Sequence, residues 1–362
     1  MITPASDRVL IIAEAGVNHN GQRDMAFALV DAAAQAGADA VKFQTFDAGK
    51  LALSSAPKAA YQKRSTDAEQ SQYEMLKKLE LPRDWHLDLQ AHARAKGIEF
   101  LSTAFDPGSL AFLKELGMPL FKVPSGELTN APLLWMFARA GVPLVVSTGM
   151  ATLSEVELGL AVICHALTHD AEPASVRDVW HAWSDPLQRE RLRGRVTLLH
   201  CTSQYPTPMA EVNLRAMDTL AHAFGLPVGY SDHTEGTLIP VAAVARGARV
   251  IEKHFTLDRA LPGPDHKASL VPGELASMVR DIRALEIALG HGTKTPQPSE
   301  WDTRQAARQQ VVALRVIRAG DVFSRDDLGT ARAGFGLEPS ALWGLVGQTA
   351  RRDFAPGDVV NP

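Results

Sequence analysis

The sequence predicts an α/β protein in which a (β/α)8 TIM barrel is followed by a small β-rich domain. Short apolar runs alternate with amphipathic helical stretches about eight times over the first ~280 residues. The runs end in polar residues, at the end of the strands where barrel enzymes gather their chemistry. Beyond residue 303 this rhythm gives way to short strand-and-turn pieces.

Strands are expected at 9–15, 40–46, 99–105, 120–125, 143–149, 196–203, 227–233 and 250–255. Helices are expected near 24–36, 85–96, 109–117, 131–140, 153–168, 214–224, 236–247 and 272–289. Thr152 is placed to cap the helix that follows it, and Pro272 suits the first turn of the last one. Gly37, Gly97, Gly117, Gly141, Gly225 and Gly247 stand where helices stop. An open doubly wound sheet is the competing topology. Against its dinucleotide-binding version, Glu14 is followed by Ala-Gly-Val-Asn-His-Asn-Gly, which is not G-x-G-x-x-G.

The polar stretch 169–195, with Trp180 and Trp183, interrupts the rhythm and reads as a partly helical insertion decorating the surface. The expected division is a barrel over 1–289, a linker over 290–303 and a β-rich domain over 304–362. A weak repeat marks the last part: Ile317-Arg-Ala-Gly-Asp-Val-Phe and Phe354-Ala-Pro-Gly-Asp-Val-Val each read as strand, Gly-Asp turn, strand. So small a piece buries little core and is expected to lean on the barrel or on another subunit.

An apolar fraction of 46%, a charged fraction of 22% and a net charge of −4 describe an ordinary globular chain. That charge gives no general attraction to nucleic acid or to an anionic membrane, so a bound anion needs a local cluster. Two cysteines, Cys164 and Cys201, make no disulfide framework and fit a reducing compartment. The N-terminus lacks a signal-peptide pattern, and no run of about 18 apolar residues occurs. Those features point to a cytoplasmic protein.

Polar residues recur at the strand ends: Glu14, Asn18 and His19; Lys42 and Gln44; Ser102 and Thr103; Lys122 and Ser125; Ser147 and Thr148; Thr202, Ser203 and Tyr205; Ser231, Asp232 and His233; Glu252, Lys253 and His254. A lysine inside an apolar strand is costly without an anionic partner. Lys42 and Lys122, with Ser125, Ser147 and Ser231, outline a pocket for a phosphate and a carboxylate. His233 and His254 close two adjacent expected strands, and with Glu14 and Glu252 as oxygen ligands or water-holders they suit a mid-series divalent ion such as Mn²⁺. Taken singly, each lysine reads more readily as a structural ion-pair member, and each histidine equally well as a hydrogen-bonded core residue. Repetition of the pattern on eight strands favours an active site.

Several motifs resemble the sialic acid synthase family: Ile-Ala-Glu-Ala-Gly-Val-Asn-His-Asn-Gly (12–21), Val-Lys-Phe-Gln (41–44), Lys-Val-Pro-Ser-Gly-Glu (122–127), Val-Ser-Thr-Gly-Met (146–150), His-Cys-Thr-Ser-Gln-Tyr-Pro (200–206), Gly-Tyr-Ser-Asp-His-Thr (229–234), and Glu-Lys-His-Phe-Thr-Leu-Asp-Arg followed by Gly-Pro-Asp-His (252–266). Residues 308–360 are similar to that family's SAF (antifreeze-like) domain. The resemblance implies condensation of phosphoenolpyruvate with an N-acylated mannose-type sugar. It implies a divalent metal on His233 and His254, Mn²⁺ first, with Mg²⁺ and Co²⁺ as alternatives. Glu14, Lys42 and Lys122 become the expected catalytic groups. Lys42, Thr103 and Lys122 would clamp the carboxylate; Lys122, Ser125, Ser147 and Ser231 would clamp the phosphate; Glu252 belongs to the same substrate-binding set. Gln44, Tyr205 and Asp265 carry over as sugar contacts. Arg332 matches an arginine that reaches the sugar's N-acyl group from a partner subunit, which implies a domain-swapped homodimer.

Three departures from the family pattern stand out. Arg332-Ala-Gly-Phe-Gly replaces Arg-Pro-Gly-Thr-Gly, and Ser203 stands where some members have Asn. The loop after the second strand lacks the family's phosphate-binding Asn, and Ser65, Thr66 and Asp67 occupy it. The first expectation for the product is N-acetylneuraminate, from N-acetylmannosamine. The alternative is N,N′-diacetyllegionaminate, from 2,4-diacetamido-2,4,6-trideoxymannose. Behind these stand a metal aldolase and a non-enzymatic polysaccharide-assembly protein.

Overall fold

Eight parallel strands form one sheet that curls into a ring in the computed structural model, which describes residues 8–58 and 71–361. In chain order they are β1 (Leu10–Gly16), β2 (Ala40–Thr45), β3 (Glu99–Ala104), β4 (Phe121–Val123), β5 (Leu144–Ser147), β6 (Val196–His200), β7 (Val228–Asp232) and β8 (Val250–His254). The sheet order is β3-β2-β1-β8-β7-β6-β5-β4, so the expected TIM barrel is what the chain builds. β3 and β4 lie side by side, yet among the described residues no hydrogen-bond ladder joins them.

Helices surround the ring, with α2 and α3 set at the end where the strands finish: α1 (Arg23–Gln35), α2 (Ala48–Leu51), α3 (Gln72–Leu79), α4 (Trp85–Ala95), α5 (Pro107–Glu115), α6 (Ala131–Arg139), α7 (Leu153–Thr168), α8 (Val176–Ser184), α9 (Pro186–Arg189), α10 (Arg215–Phe224), α11 (Leu238–Ala245) and α12 (Pro272–Leu289). Thr152 caps α7 with a reciprocal Thr152–Glu155 capping box, and Pro272 opens α12. The stretch 169–195 folds as α8, α9 and a 3-10 turn that widen the outer layer. There Val179, Ala182 and Leu192 are buried, and the Trp183 indole donates to Glu157 at 2.9 Å. α3 falls where the sequence reading placed only a loop.

Alternation along the strands produces two cores. Outward residues such as Ile11, Val41, Phe43, Phe100, Val146 and Ile251 pack beneath the helices. Inward residues Leu10, Ile12, Ala40, Leu101, Leu120, Val145, Leu199 and Val250 fill the lower half of the ring as a separate cluster. On β7 the inward place belongs to Gly229, because a Cβ there would lie 2.3 Å from the Val250 carbonyl oxygen.

The chain divides into two compact units, Met1–Gly290 and His291–Pro362. In the second, residues expected to be linker already form a 3-10 turn (Pro298–Glu300) and the start of α13 (Trp301–Ala307). β9 (Gln310–Ala313) pairs antiparallel with β10 (Leu328–Ala331), and α14 (Leu342–Leu345) follows. The sequence repeat becomes two matching turns at Gly320 (φ 96°) and Gly357 (φ 90°), and its first residues, Ile317 and Phe354, pair with each other. The core of this unit includes Val311, Ile317, Phe323, Leu328, Leu345, Phe354 and Val360.

Candidate active site

Two residues beyond each apolar inward position, the strands change character. Ile12 gives way to Glu14, Ala40 to Lys42 and then Gln44, Leu101 to Thr103, and Leu120 to Lys122. Gly229 likewise gives way to Ser231, and Val250 to Glu252 and then His254. Because side chains alternate, all of these point into the ring just above the apolar plug. Register aligns them: Glu14 lies opposite Lys42 on one side and His254 on the other, and Ser231 lies opposite Glu252. Above them opens a cavity of about 470 Å³. A wider hollow of about 860 Å³ at the opposite end of the barrel is rimmed by Arg8, Asp39, Arg94 and Lys96. Asp39 is already ion-paired there with Arg8 and Arg283, so the strand-end cavity is the better candidate for chemistry.

The cavity floor is a buried charge network. Lys42 Nζ lies 2.5 Å from Glu14 Oε2 and 3.5 Å from Glu252 Oε2, and it donates to Thr103 Oγ1 at 2.8 Å. Lys122 Nζ lies 3.3 Å from Glu252 Oε1, which also accepts from Ser231 Oγ at 2.7 Å. Burial, aided by the nearby Glu252 charge, raises the Glu14 carboxyl to about 7 against the pull of Lys42. Burial works against the charged form of Glu252 too, but Lys122, Lys42 and the Ser231 hydroxyl together outweigh it and hold that carboxyl well below the usual range.

His233 and His254 meet at the cavity wall with ring centroids 5.5 Å apart. Tyr205, whose bond to Pro206 is cis, lies over His233 at 4.1 Å and meets His254 edge-on at 5.6 Å. Burial drives the His233 imidazole down to about 4, and burial plus the adjacent His233 drives His254 well below its ordinary value. Both rings are therefore neutral, the state in which imidazole ligates metal. His233 Nδ1 faces the Thr202 carbonyl at 2.8 Å, which fixes the Nδ1–H tautomer and leaves Nε2 with its lone pair. His254 Nδ1 is buried without a hydrogen bond, 4.0 Å from Asp265 Oδ2. Among the described residues no set of three His, Cys, Asp or Glu side chains converges on one point. Two neutral imidazoles fit a divalent ion that keeps its remaining positions for water or substrate.

Of the residues singled out in the sequence, Glu14, Lys42, Gln44, Thr103, Lys122, Ser125, Tyr205, Ser231, His233, Glu252, His254 and Asp265 all line this one cavity. Burial raises the Asp265 carboxyl to about 6. Ser147 does not reach the cavity surface; it is wholly buried, with its hydroxyl unpartnered. Arg332 lies exposed just past β10 in the second unit. Asn18 and His19 brace loops instead: Asn18 donates to the Phe255 carbonyl at 2.8 Å, and His19 packs near Phe43. Asp232 and Lys253 pair at 2.6 Å, away from the cavity. Ser65, Thr66 and Asp67 lie outside the described residues.

One wall of the cavity, apolar except for Gln72, was not among the features expected from the sequence. Gln72, Met75, Leu76 and Leu79 of α3 line the cavity together with Phe46, Leu51 and Phe105. The signal was present: Ser71-Gln-Tyr-Glu74 is a capping-box pattern, and both of its bonds form.

Known proteins resemble this chain over most of its length. Residues 29–294 match the NeuB family and residues 308–362 the SAF domain. The N,N′-diacetyllegionaminic acid synthase of Legionella pneumophila is 45% identical, covering 96% of this chain and 92% of its own. The protein of that name from Campylobacter jejuni is 43% identical, covering 98% and 99%. The crystal structure of an N-acetylneuraminic acid synthetase from Leptospira borgpetersenii superposes with a TM-score of 0.66 at 33% identity, covering 82% of this chain and 90% of that one. The two sequence relatives carry the name of the alternative product rather than of the one expected first. The chain belongs to the NeuB family of sugar-acid synthases and ends in a SAF domain.

Proposed function

We propose that the protein condenses phosphoenolpyruvate with 2,4-diacetamido-2,4,6-trideoxymannose to give N,N′-diacetyllegionaminate and phosphate. The observation that carries this reading is the two-sided floor. Lys42 and Lys122 face one side of the cavity and a neutral His233–His254 pair the other. The legionaminic names of the 45% and 43% relatives support this acceptor over N-acetylmannosamine.

In this reading Lys42, Thr103 and Lys122 hold the phosphoenolpyruvate carboxylate, and Lys122, Ser125 and Ser231 hold its phosphate. Gln44, Tyr205 and Asp265 orient the open-chain sugar so that its aldehyde carbon meets the enol carbon. The new C–C bond leaves a cationic centre at C2, water adds there, and the adduct expels phosphate. Glu14, with a carboxyl that titrates near neutrality, takes up and returns the proton of that water. His233 and His254 would hold a divalent cation, Mn²⁺ by preference, which when bound supplies Lewis acidity toward an aldehyde oxygen. Arg332 would reach the N-acyl group from the partner subunit of a domain-swapped homodimer.

Phosphate release from phosphoenolpyruvate and Mn²⁺ should be fastest with the diacetamido trideoxy sugar and should stop on adding EDTA. His233→Ala and His254→Ala should each lose bound metal after equilibrium dialysis, read by metal analysis. Turnover of N-acetylmannosamine but not of the trideoxy sugar would overturn the acceptor assignment.

A further inference from the structure

Every polar group assigned above sits at a strand end or in a loop directly after one, while one wall of the cavity is apolar except for Gln72 and belongs to no strand. Residues 72, 75, 76 and 79 follow the i, i+3, i+4, i+7 spacing, so α3 turns a single face to the cavity. Met75 and Leu79 are buried against Val17 and Phe46, and Leu51, Leu76 and Phe105 pack on that cluster while only partly buried. Phe46 and Phe105 meet edge to face at 6.0 Å and form a stiff base.

The wall is held in place independently of the charged floor. Glu80, just past α3, accepts the Ala48 amide at 2.8 Å and ties the helix to α2. Gly21, at φ 70°, passes so close to the Lys78 carbonyl that a Cβ would lie 2.8 Å from it. The capping box at Ser71 fixes the other end.

We infer that the wall formed by Phe46, Leu51, Met75, Leu76, Leu79 and Phe105 selects acceptors whose far end is deoxygenated, by packing on the C6 methyl group of a 6-deoxy sugar. This rests on the condensation proposed above. With the aldehyde held at the floor by the histidine side, the far end of an open-chain sugar lies toward the cavity mouth. Leu51 and Leu76 offer no hydrogen bond to a hydroxyl packed against them, a full turn of helix from Gln72, so a 6-hydroxyl seated there loses its water without replacement while a methyl gains contact.

The test compares 2-acetamido-2,6-dideoxymannose with N-acetylmannosamine, which differ only at C6, in the full-length enzyme with phosphoenolpyruvate and Mn²⁺. The wild type should favour the 6-deoxy acceptor in kcat/KM by about 10- to 100-fold. Leu76→Gln should collapse that ratio to within a few-fold of unity, and Leu76→Met should keep it, with KM for phosphoenolpyruvate as the internal control. No preference in the wild type, or an equal loss for both acceptors in Leu76→Gln, would overturn the inference. If 2,4-diacetamido-2,4,6-trideoxymannose is turned over while the ratio stays fixed in Leu76→Gln, only the wall assignment fails. If none of the three sugars releases phosphate, the condensation reading fails with it.

Discussion

Two buried charge clusters sit back to back at the ends of β7 and β8, and they are built on opposite rules. Outside the ring, Lys253 and Asp232 are fully buried and matched one to one. Lys253 Nζ donates to Asp232 and to the Thr234 carbonyl, and Asp232 accepts the Thr234 amide and hydroxyl. Inside the ring nothing is matched one to one: Lys42 is shared between Glu14 and Glu252, Glu252 is shared between Lys42 and Lys122, and His254 Nδ1, at the cavity wall, is left without a hydrogen bond. A cluster that satisfies itself braces strands. One that leaves capacity directed at a cavity is shaped for something that arrives later.

Substitutions should separate the two. The largest effect is expected from Lys122→Ala, which should lower kcat for phosphate release by about 10²- to 10³-fold while moving the thermal midpoint little. A matching collapse in stability would assign Lys122 to the bracing class. Lys253→Met strands the Asp232 carboxylate away from water and should cost about 3–5 kcal/mol in urea unfolding. A loss under about 1 kcal/mol would show that the outer pair is dispensable.

Histidines extend the contrast. His19 and His86, outside the cavity, are driven to about 4, chiefly by burial, and fold as neutral rings. The unfolded chain binds their protons near pH 6.5, so their contribution is complete above that pH and is lost as pH falls toward about 4. The barrel should weaken by about 1 kcal/mol per pH unit for each histidine across that window, read as the urea midpoint. His86→Asn should flatten the slope, and a slope unchanged in that variant would exclude His86 as a source.

Much of the fold was legible because each strand carries its own label, an apolar run closing on polar residues two apart. Glu14, Lys42, Lys122 and His254 could be placed in one site from that pattern alone. Lys253 shares their place along a strand but not their parity; one residue from Glu252 and His254, it necessarily faces the other side and pairs with Asp232. α3 was lost for a different reason. It is short, it lies between two irregular stretches, and its face completes a cavity that exists only after the ring closes. Arg332 marks a third limit, since its proposed partner belongs to another subunit, which no spacing within one chain encodes.

Among the described residues, the missing ladder between β3 and β4 gives the ring one joint unlike the other seven. Lys122 stands on β4, and Thr103, partnered with Lys42, stands on β3, so the gap is flanked by a lysine and a lysine-bound hydroxyl, the groups proposed above to hold an anion. From across the ring Glu252 holds both lysines and so acts as a side-chain stitch where backbone stitching stops. A carboxylate or phosphate lodged between Thr103 and Lys122 would become a second stitch. Occupancy of the cavity would then also be a mechanical event, closing with a ligand the seam that the backbone leaves open.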